Sequence, residues 1–256
     1  MPGMTRREPP LPWLEPGEPF PDTRLAWGPD APAPGLLAAG GELDTETLCR
    51  AYRDGIFPWF SRGQPILWWS TDPRMVLFPA EFRLHRSLRK TLRRFIQDPR
   101  CEVRFNSAFD RVITACAGNV REGQDGTWIV PAMVQAYRAL HRAGFAYSVE
   151  TWVDGALVGG LYGVVLGRAV FGESMFTRMP DASKIALAAL VAFCRAHAIE
   201  LIDCQQNTAH LASLGAREIP RSDFVDRIAR HAPEATLDWR FDSVYWRELL
   251  PHLPPA

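Results

Sequence analysis

Val170-Phe-Gly-Glu-Ser-Met-Phe-Thr-Arg-Met-Pro-Asp-Ala-Ser-Lys184 is the stretch on which the fold turns. It begins as an apolar strand, places one acid, Glu173, in the middle of it, and runs through a Met- and Phe-rich turn into a helix starting near Asp181. An ionisable group flanked by Phe171, Met175 and Phe176 sits in low-dielectric surroundings, where its charge is costly without a task or a partner. Glu200-Leu-Ile-Asp-Cys-Gln-Gln206 reads as a second apolar strand with a polar end, lying beside the first. Strand alternation puts Leu201, Asp203 and Gln205 on one face, and Ile202 with Cys204 on the other. A site between the two strands is predicted, with Cys204 turned away from it as a core thiol.

Working outward, Ala146–Val153 and Ala156–Val165 read as strands joined by Asp154-Gly155, a strong hairpin signal. Leu166-Gly167 then turns the chain into the strand of Glu173. On the other side a helix is predicted over Ala182–His197, small and apolar along one side and therefore buried against a sheet. The Asp203 strand, a helical turn around Ala209–Leu214, and a last strand and helix over Arg217–Arg230 follow. Upstream, helices are predicted over Ser107–Ala117 and Pro131–Arg142, with a loop over Gly118–Gly126 between them and Gly144 closing the second. Two helices, three antiparallel strands and then alternating helix and strand make an α+β layout with a mixed sheet. It is the order expected of an acetyltransferase-like (GNAT-like) fold with flanking helices.

Residues 1 to about 42 are rich in proline and glycine and are expected to be mostly irregular, with Trp13, Phe20 and Trp27 tying the arm to a neighbouring surface. Asp44 or Thr45 caps a short helix through Leu48, Ala51 and Tyr52, ended by Gly55. Ile56–Phe60 and Leu67–Arg74 are dense in aromatics, which form either a small core or a wall over a binding cleft. Arg74–Phe78 is a predicted strand, and Pro79 a boundary. The expected organisation is a small N-terminal domain over 1–79, an acyltransferase domain over 80–231, and a tail over 232–256 whose Trp239, Tyr245 and Trp246 pack at a specific place.

The helix over Leu84–Gln97 carries Arg86, Lys90, Arg93 and Arg94 in one stripe, while Leu84, Leu88, Leu92 and Phe95 face inward. A cationic helix face is usually solvated and paired with scattered acids; with no acid inside this helix, phosphate binding is the favoured reading of the stripe.

Hydrophobic residues make up 47% of the chain and its formal net charge is zero, which excludes a disordered chain and argues against wholesale nucleic-acid binding while leaving room for that local patch. No apolar run is long enough to cross a membrane, and the N-terminus lacks an apolar signal core. A soluble, cytoplasmic protein is therefore expected; separately, it is expected to act as a monomer. Five cysteines form no C-x-x-C pair and six histidines show no ligand spacing, so neither a disulfide framework nor a metal is expected.

A CoA-dependent acyltransferase needs a glycine-rich loop whose backbone holds a pyrophosphate, and Met175–Ser183 offers bulky side chains and no glycine. No P-loop is present either, so no cofactor is expected. Asp203 and Gln205 are placed to polarise an attacking amine, and an acyl donor that is already an activated ester would need no metal and no covalent nucleophile. An N-acetyltransferase with an atypical cofactor loop is the second reading. A non-catalytic RNA-binding module is the third, which the lone buried acid and the Asp203/Gln205 pair speak against.

LWWSTDPRMVL, TWIVPAMVQAY, FGESMFTRMPDASKIAL, LIDCQ and SLGAREIPRSDF resemble, in order and spacing, the bacterial leucyl/phenylalanyl-tRNA–protein transferases, from about Gly40 to about Phe224. The resemblance implies transfer of Leu or Phe, and Met more weakly, from aminoacyl-tRNA to the N-terminal Arg or Lys of an acceptor protein, which marks it for the N-end degradation pathway. It also implies a relay of Asp203 and Gln205, and Glu173 as the acid facing the acceptor. Phe171, Ser174 and Met175 would form the slot for the transferred side chain. Trp68, Trp69 and Trp128 would wall the cleft, and Arg86, Lys90, Arg93 and Arg94 would grip the tRNA acceptor stem.

Overall fold

The computed structural model describes residues 10–118 and 129–251. The chain forms β1 (Trp13–Leu14), β2 (Leu36–Gly40), α1 (Thr45–Arg53), β3 (Phe57–Pro58), β4 (Leu67–Trp69) and β5 (Arg74–Leu77). It continues with α2 (Arg86–Gln97), β6 (Cys101–Phe105), α3 (Phe109–Ala117) and α4 (Pro131–Arg142). Then come β7 (Ala146–Val153), β8 (Ala156–Leu166), β9 (Ala169–Thr177), α5 (Ala182–Ala196), β10 (Ile202–Gln205), α6 (Ala209–Ser213), β11 (Arg217–Ile219) and α7 (Arg221–His231).

Seven strands form one mixed sheet in the order β11-β5-β10-β9-β8-β7-β6. β10 runs parallel to β9, and the other neighbours are antiparallel. The β7–β8 hairpin turns at Asp154 and Gly155, with φ of +50° and +72°, the left-handed pair its sequence requires. Alternation along β8 divides the interior in two. Leu161 and Val165 face α2, α5 and the C-terminal tail, while Tyr162 and Val164 face α1, α3, α4 and the N-terminal strands. α5 lies against the sheet with Ile185 through Cys194 buried without a break. It can come this close because a Cβ at Gly159 of β8 would stand 2.5 Å from the Cβ of Ala182.

A smaller sheet, in the order β1-β2-β4-β3, precedes the large one. Residues 10–42 are mostly irregular, and the exception that matters is β2, all five residues of which are buried against β4. Small residues (Leu-Leu-Ala-Ala-Gly) between proline-rich flanks concealed a strand whose partner lies thirty residues on. β5, inside the expected N-terminal domain, belongs to the large sheet, where it separates β10 from β11. The tail is docked: Trp239 stacks on Tyr147 at 4.2 Å and Trp246 is buried. Among the described residues no helix is long and apolar enough to cross a membrane.

Candidate active site

β9 and β10 pair at only two positions, Val170 with Ile202 and Phe171 with Asp203. Just beyond, both strands carry a bulge. On β9 the register with β8 jumps from Gly163↔Gly172 to Tyr162↔Ser174, leaving Glu173 as the extra residue. On β10 the register with β5 jumps from Asp203↔Val76 to Gln205↔Met75, leaving Cys204 as the extra residue. Bulges re-aim side chains and end pairing. Gly163 is needed at the first one, where a Cβ would stand 2.1 Å from the Phe171 carbonyl. At the second, Gln205 takes φ +55°. A cavity of about 510 Å³ fills the gap, lined by residues of both strands, of β3, and of the helices α5 and α6.

Glu173 is the acid of this cavity. Tyr52 of α1 donates to its Oε1 at 2.7 Å, Tyr137 of α4 to its Oε2 at 3.0 Å, and the Gln205 carboxamide to Oε1 at 3.1 Å. The two phenols also touch each other at 2.5 Å. Burial pushes the Glu173 carboxyl up to about 7, against the hydrogen bonds of Tyr52 and Tyr137, which favour the charged form. A carboxyl that titrates near neutrality and opens on a cavity is a candidate proton acceptor.

Asp203 lies behind the cavity rather than on it. Both of its oxygens are engaged by Arg74, Oδ1 with Nε at 2.8 Å and Oδ2 with Nη2 at 2.6 Å, and neither side chain has any exposed surface. Oδ1 also accepts the backbone N–H of Gln205 at 3.0 Å. The link from Asp203 to Gln205 thus runs through the backbone, and the Gln205 carboxamide is turned to Glu173.

Glu173, Ser174, Met175 and Gln205 come together on the cavity, whose apolar part is formed by Leu161, Leu187, Leu190 and Ile202 with Met175. Phe171 is fully buried one layer down, 5.0 Å from the Tyr52 ring. Trp68 is buried too, donating to the Gly40 carbonyl. Trp69 stands behind Trp59, with rings 5.3 Å apart and its Nε1 donating to the Trp59 carbonyl. Trp59, with Phe57, is the aromatic wall that faces the cavity. Trp128 lies outside the described residues. The expected alternation along β10 is corrected by its bulge: Cys204 and Gln205 both line the cavity while Asp203 does not. Burial pushes the Cys204 thiol up, so it offers no thiolate near neutral pH.

Arg86, Lys90, Arg93 and Arg94 are exposed on α2, and no salt bridge reaches them among the described residues. α2 is fastened beside the cavity mouth. Thr91 donates to Asp181 at the start of α5, and the His85 ring donates to the Ser213 carbonyl at the end of α6.

Tyr52, Tyr137, Arg74 and Trp59 are the members of the site that strand and helix periodicity alone did not single out. A tyrosine on the inward face of a helix is a hint, since its buried hydroxyl needs a partner.

The profile of the family described as "Leucyl/phenylalanyl-tRNA protein transferase" matches residues 76–229, and that of its "N-terminal domain" matches residues 41–72. A protein of Polaromonas sp. (strain JS666 / ATCC BAA-500) named "Leucyl/phenylalanyl-tRNA--protein transferase" is 66% identical over 241 residues, covering 94% of each chain. One of the same name from Albidiferax ferrireducens is 62% identical over 247 residues, covering 96% of this chain and 97% of the relative. In fold comparison, the crystal structure of a functionally unknown conserved protein from Staphylococcus epidermidis ATCC 12228 covers 72% of this chain and 68% of its own at 10% identity, and its TM-score of 0.35 is too low to bear on the fold.

Proposed function

Since the chain belongs to the leucyl/phenylalanyl-tRNA–protein transferase family, we propose a division of labour within its cavity for that family's reaction. The reaction is aminoacyl transfer from tRNA to the N-terminus of a protein. An ester is exchanged for an amide, so the step runs downhill without a nucleotide triphosphate. The Leu or Phe side chain, or Met more weakly, enters the apolar part between Leu161, Met175, Leu187, Leu190 and Ile202. The aromatic wall of Trp59 and Phe57 stands over the ester. The acceptor's N-terminal Arg or Lys is drawn by the Glu173 carboxylate, which takes the proton released as the amine attacks the ester carbonyl and returns it to the ribose oxygen of the tRNA as the ester C–O bond breaks. Gln205 holds that carboxylate in place. A positioned base contributes about 10²–10⁴-fold, and alignment of amine and ester supplies effective molarities up to roughly 10⁵–10⁸ M.

The observation that carries this reading is that an acid with a carboxyl near 7 shares one cavity with an apolar slot of side-chain size. The same arrangement, a parallel strand pair splayed at two bulges beside a long buried helix, supports a GNAT-like fold with the small sheet as an N-terminal domain. The exposed cations of α2 are suited to the phosphates of the acceptor stem, gripping it without reading sequence. A monomer in the cytoplasm, acting on proteins bound for N-end degradation, fits these substrates. Mixing the protein with labelled Leu-tRNA and an Arg-initiated peptide, without ATP, is expected to put label on the peptide and far less on an Ala-initiated one. No label on either peptide overturns the reading, and equal labelling removes Glu173 from acceptor choice.

A further inference from the structure

Gln205 is held in a conformation that few non-glycine residues adopt, and both of its backbone groups are pinned by side chains. Its N–H is bound by Asp203 Oδ1 at 3.0 Å, and its carbonyl by the Thr71 hydroxyl at 3.0 Å. A left-handed backbone at a non-glycine residue persists only where its surroundings over-determine it. Here the constraint leads to Arg74. Its guanidinium grips Asp203 with two parallel bonds, donates from Nη1 to the Gly55 carbonyl at 3.2 Å, and is sandwiched by the rings of Phe57 and Phe224 at 4.7 and 4.6 Å. Gly55 follows Asp54, the C-cap of α1, the helix that delivers Tyr52 to Glu173. The contacts therefore close a ring: the end of α1, Arg74, Asp203, Gln205, Glu173, Tyr52, and α1 again.

We propose that Arg74 is a positioning residue for aminoacyl transfer, fixing the Gln205 carboxamide on Glu173 by way of Asp203, and that the Asp203 carboxylate carries no proton in the reaction. Two features argue for this. Asp203 has no surface on the cavity and no free oxygen, so a proton has no path to it. And a planar fork clamped between two rings sets direction, which a point charge cannot do. The inference rests on the role of Gln205 proposed above.

The test is a double-mutant cycle on kcat with Leu-tRNA and an Arg-initiated peptide, combined with the NMR signal of the Gln205 side-chain amide. Arg74→Lys keeps the charge and loses the fork. It is expected to lower kcat by about 10²-fold, the loss typical of a misplacement of about 1 Å, to leave KM for aminoacyl-tRNA nearly unchanged, and to abolish the slow exchange of the Gln205 amide. In a Gln205→Ala background Arg74→Lys is expected to change kcat no further, because its effect is transmitted through that carboxamide. Should Arg74→Lys not fold, Thr71→Val, which frees the Gln205 carbonyl without burying a lone charge, is expected to show the same pattern at a smaller size. An equal loss of kcat in both backgrounds, or an unchanged Gln205 amide in Arg74→Lys, overturns the proposal. A wild-type protein that transfers nothing overturns the reading of the reaction, and the amide signal then decides for or against Arg74 by itself.

Discussion

Glu150 and Glu173 stand on strands of the same sheet with β8 between them; Glu150 is buried and Glu173 half-buried, and every carboxyl oxygen of both is hydrogen-bonded. The kind of donor separates them. Glu150 accepts the backbone N–H of Ser107 at 3.2 Å and of Ala108 at 3.0 Å just ahead of α3, together with the hydroxyls of Ser107 and of Ser148. Backbone amides can only donate and cannot turn away, so this carboxylate is a fixed anchor for a helix start. Glu173 accepts from two phenols and a carboxamide, and it faces a cavity. A phenol can donate or accept, so the same shell accommodates Glu173 with or without a proton. The difference teaches how to tell an acid that holds the fold from one that handles a proton: by whether its partners can reverse.

The largest expected effect is on turnover. Glu173→Gln should lower kcat by about 10²–10⁴-fold, whereas Glu150→Gln should leave kcat per folded molecule within about threefold; single-turnover kinetics on both variants checks this, and equal losses would break the contrast.

Stability should separate the pair in the opposite sense. Glu150→Ala orphans several buried donors and should cost roughly 3 kcal/mol or more in urea unfolding. Glu173 sits at about 7 in the folded protein against the ordinary carboxyl value of 4.5, so the folded state binds more protons between those values. Stability is therefore lost as pH rises through that window, and the whole cost is present above it. Glu173→Gln removes this cost and should stabilise the protein at pH 8 by on the order of 1–3 kcal/mol, with the gain vanishing below about pH 4.5.

Smaller effects sharpen the picture of the reversible shell. Tyr52→Phe or Tyr137→Phe each deletes a donor to the charged form. The limb in the pH–rate profile should then move above 7 and kcat should fall about tenfold, the worth of one hydrogen bond to a charge. Least of all, Arg86→Glu with Lys90→Glu, remote from both acids, should weaken tRNA binding and flatten its salt dependence by about two phosphate contacts. A salt slope equal to that of wild type would make the α2 stripe an ordinary solvated face.

Much of the frame is legible in the residues themselves. The hairpin at Asp154-Gly155, the buried helix α5, the adjacency of the Glu173 and Asp203 strands, and the isolation of Glu173 among apolar neighbours follow from turn chemistry and hydrophobic period. The two bulges do not. A bulge depends on how many residues the partner strand offers, and nothing in LIDCQ says that Cys204 has no opposite number. One unpaired residue was enough to move Asp203 behind the cavity and Cys204 onto it. Tyr52 and Tyr137 fall within predicted helices with nothing in the helical period to mark them, because their rings are core and only their hydroxyls reach the site. Arg74 read as the start of a strand, since its partner lies 129 residues away. Among the clustered aromatics, composition could not tell Trp59, on the cavity, from Trp68 and Trp69 behind it.

The most direct measurement is kcat/KM against pH, with Leu-tRNA and an Arg-initiated peptide, for the wild-type protein and Glu173→Gln. The predicted result is a wild-type rate that rises through about 7 and a variant that lacks this limb, keeping only that of the acceptor amine itself, near about 8. A limb at the same pH in both proteins would show that Glu173 is not the group that takes the proton.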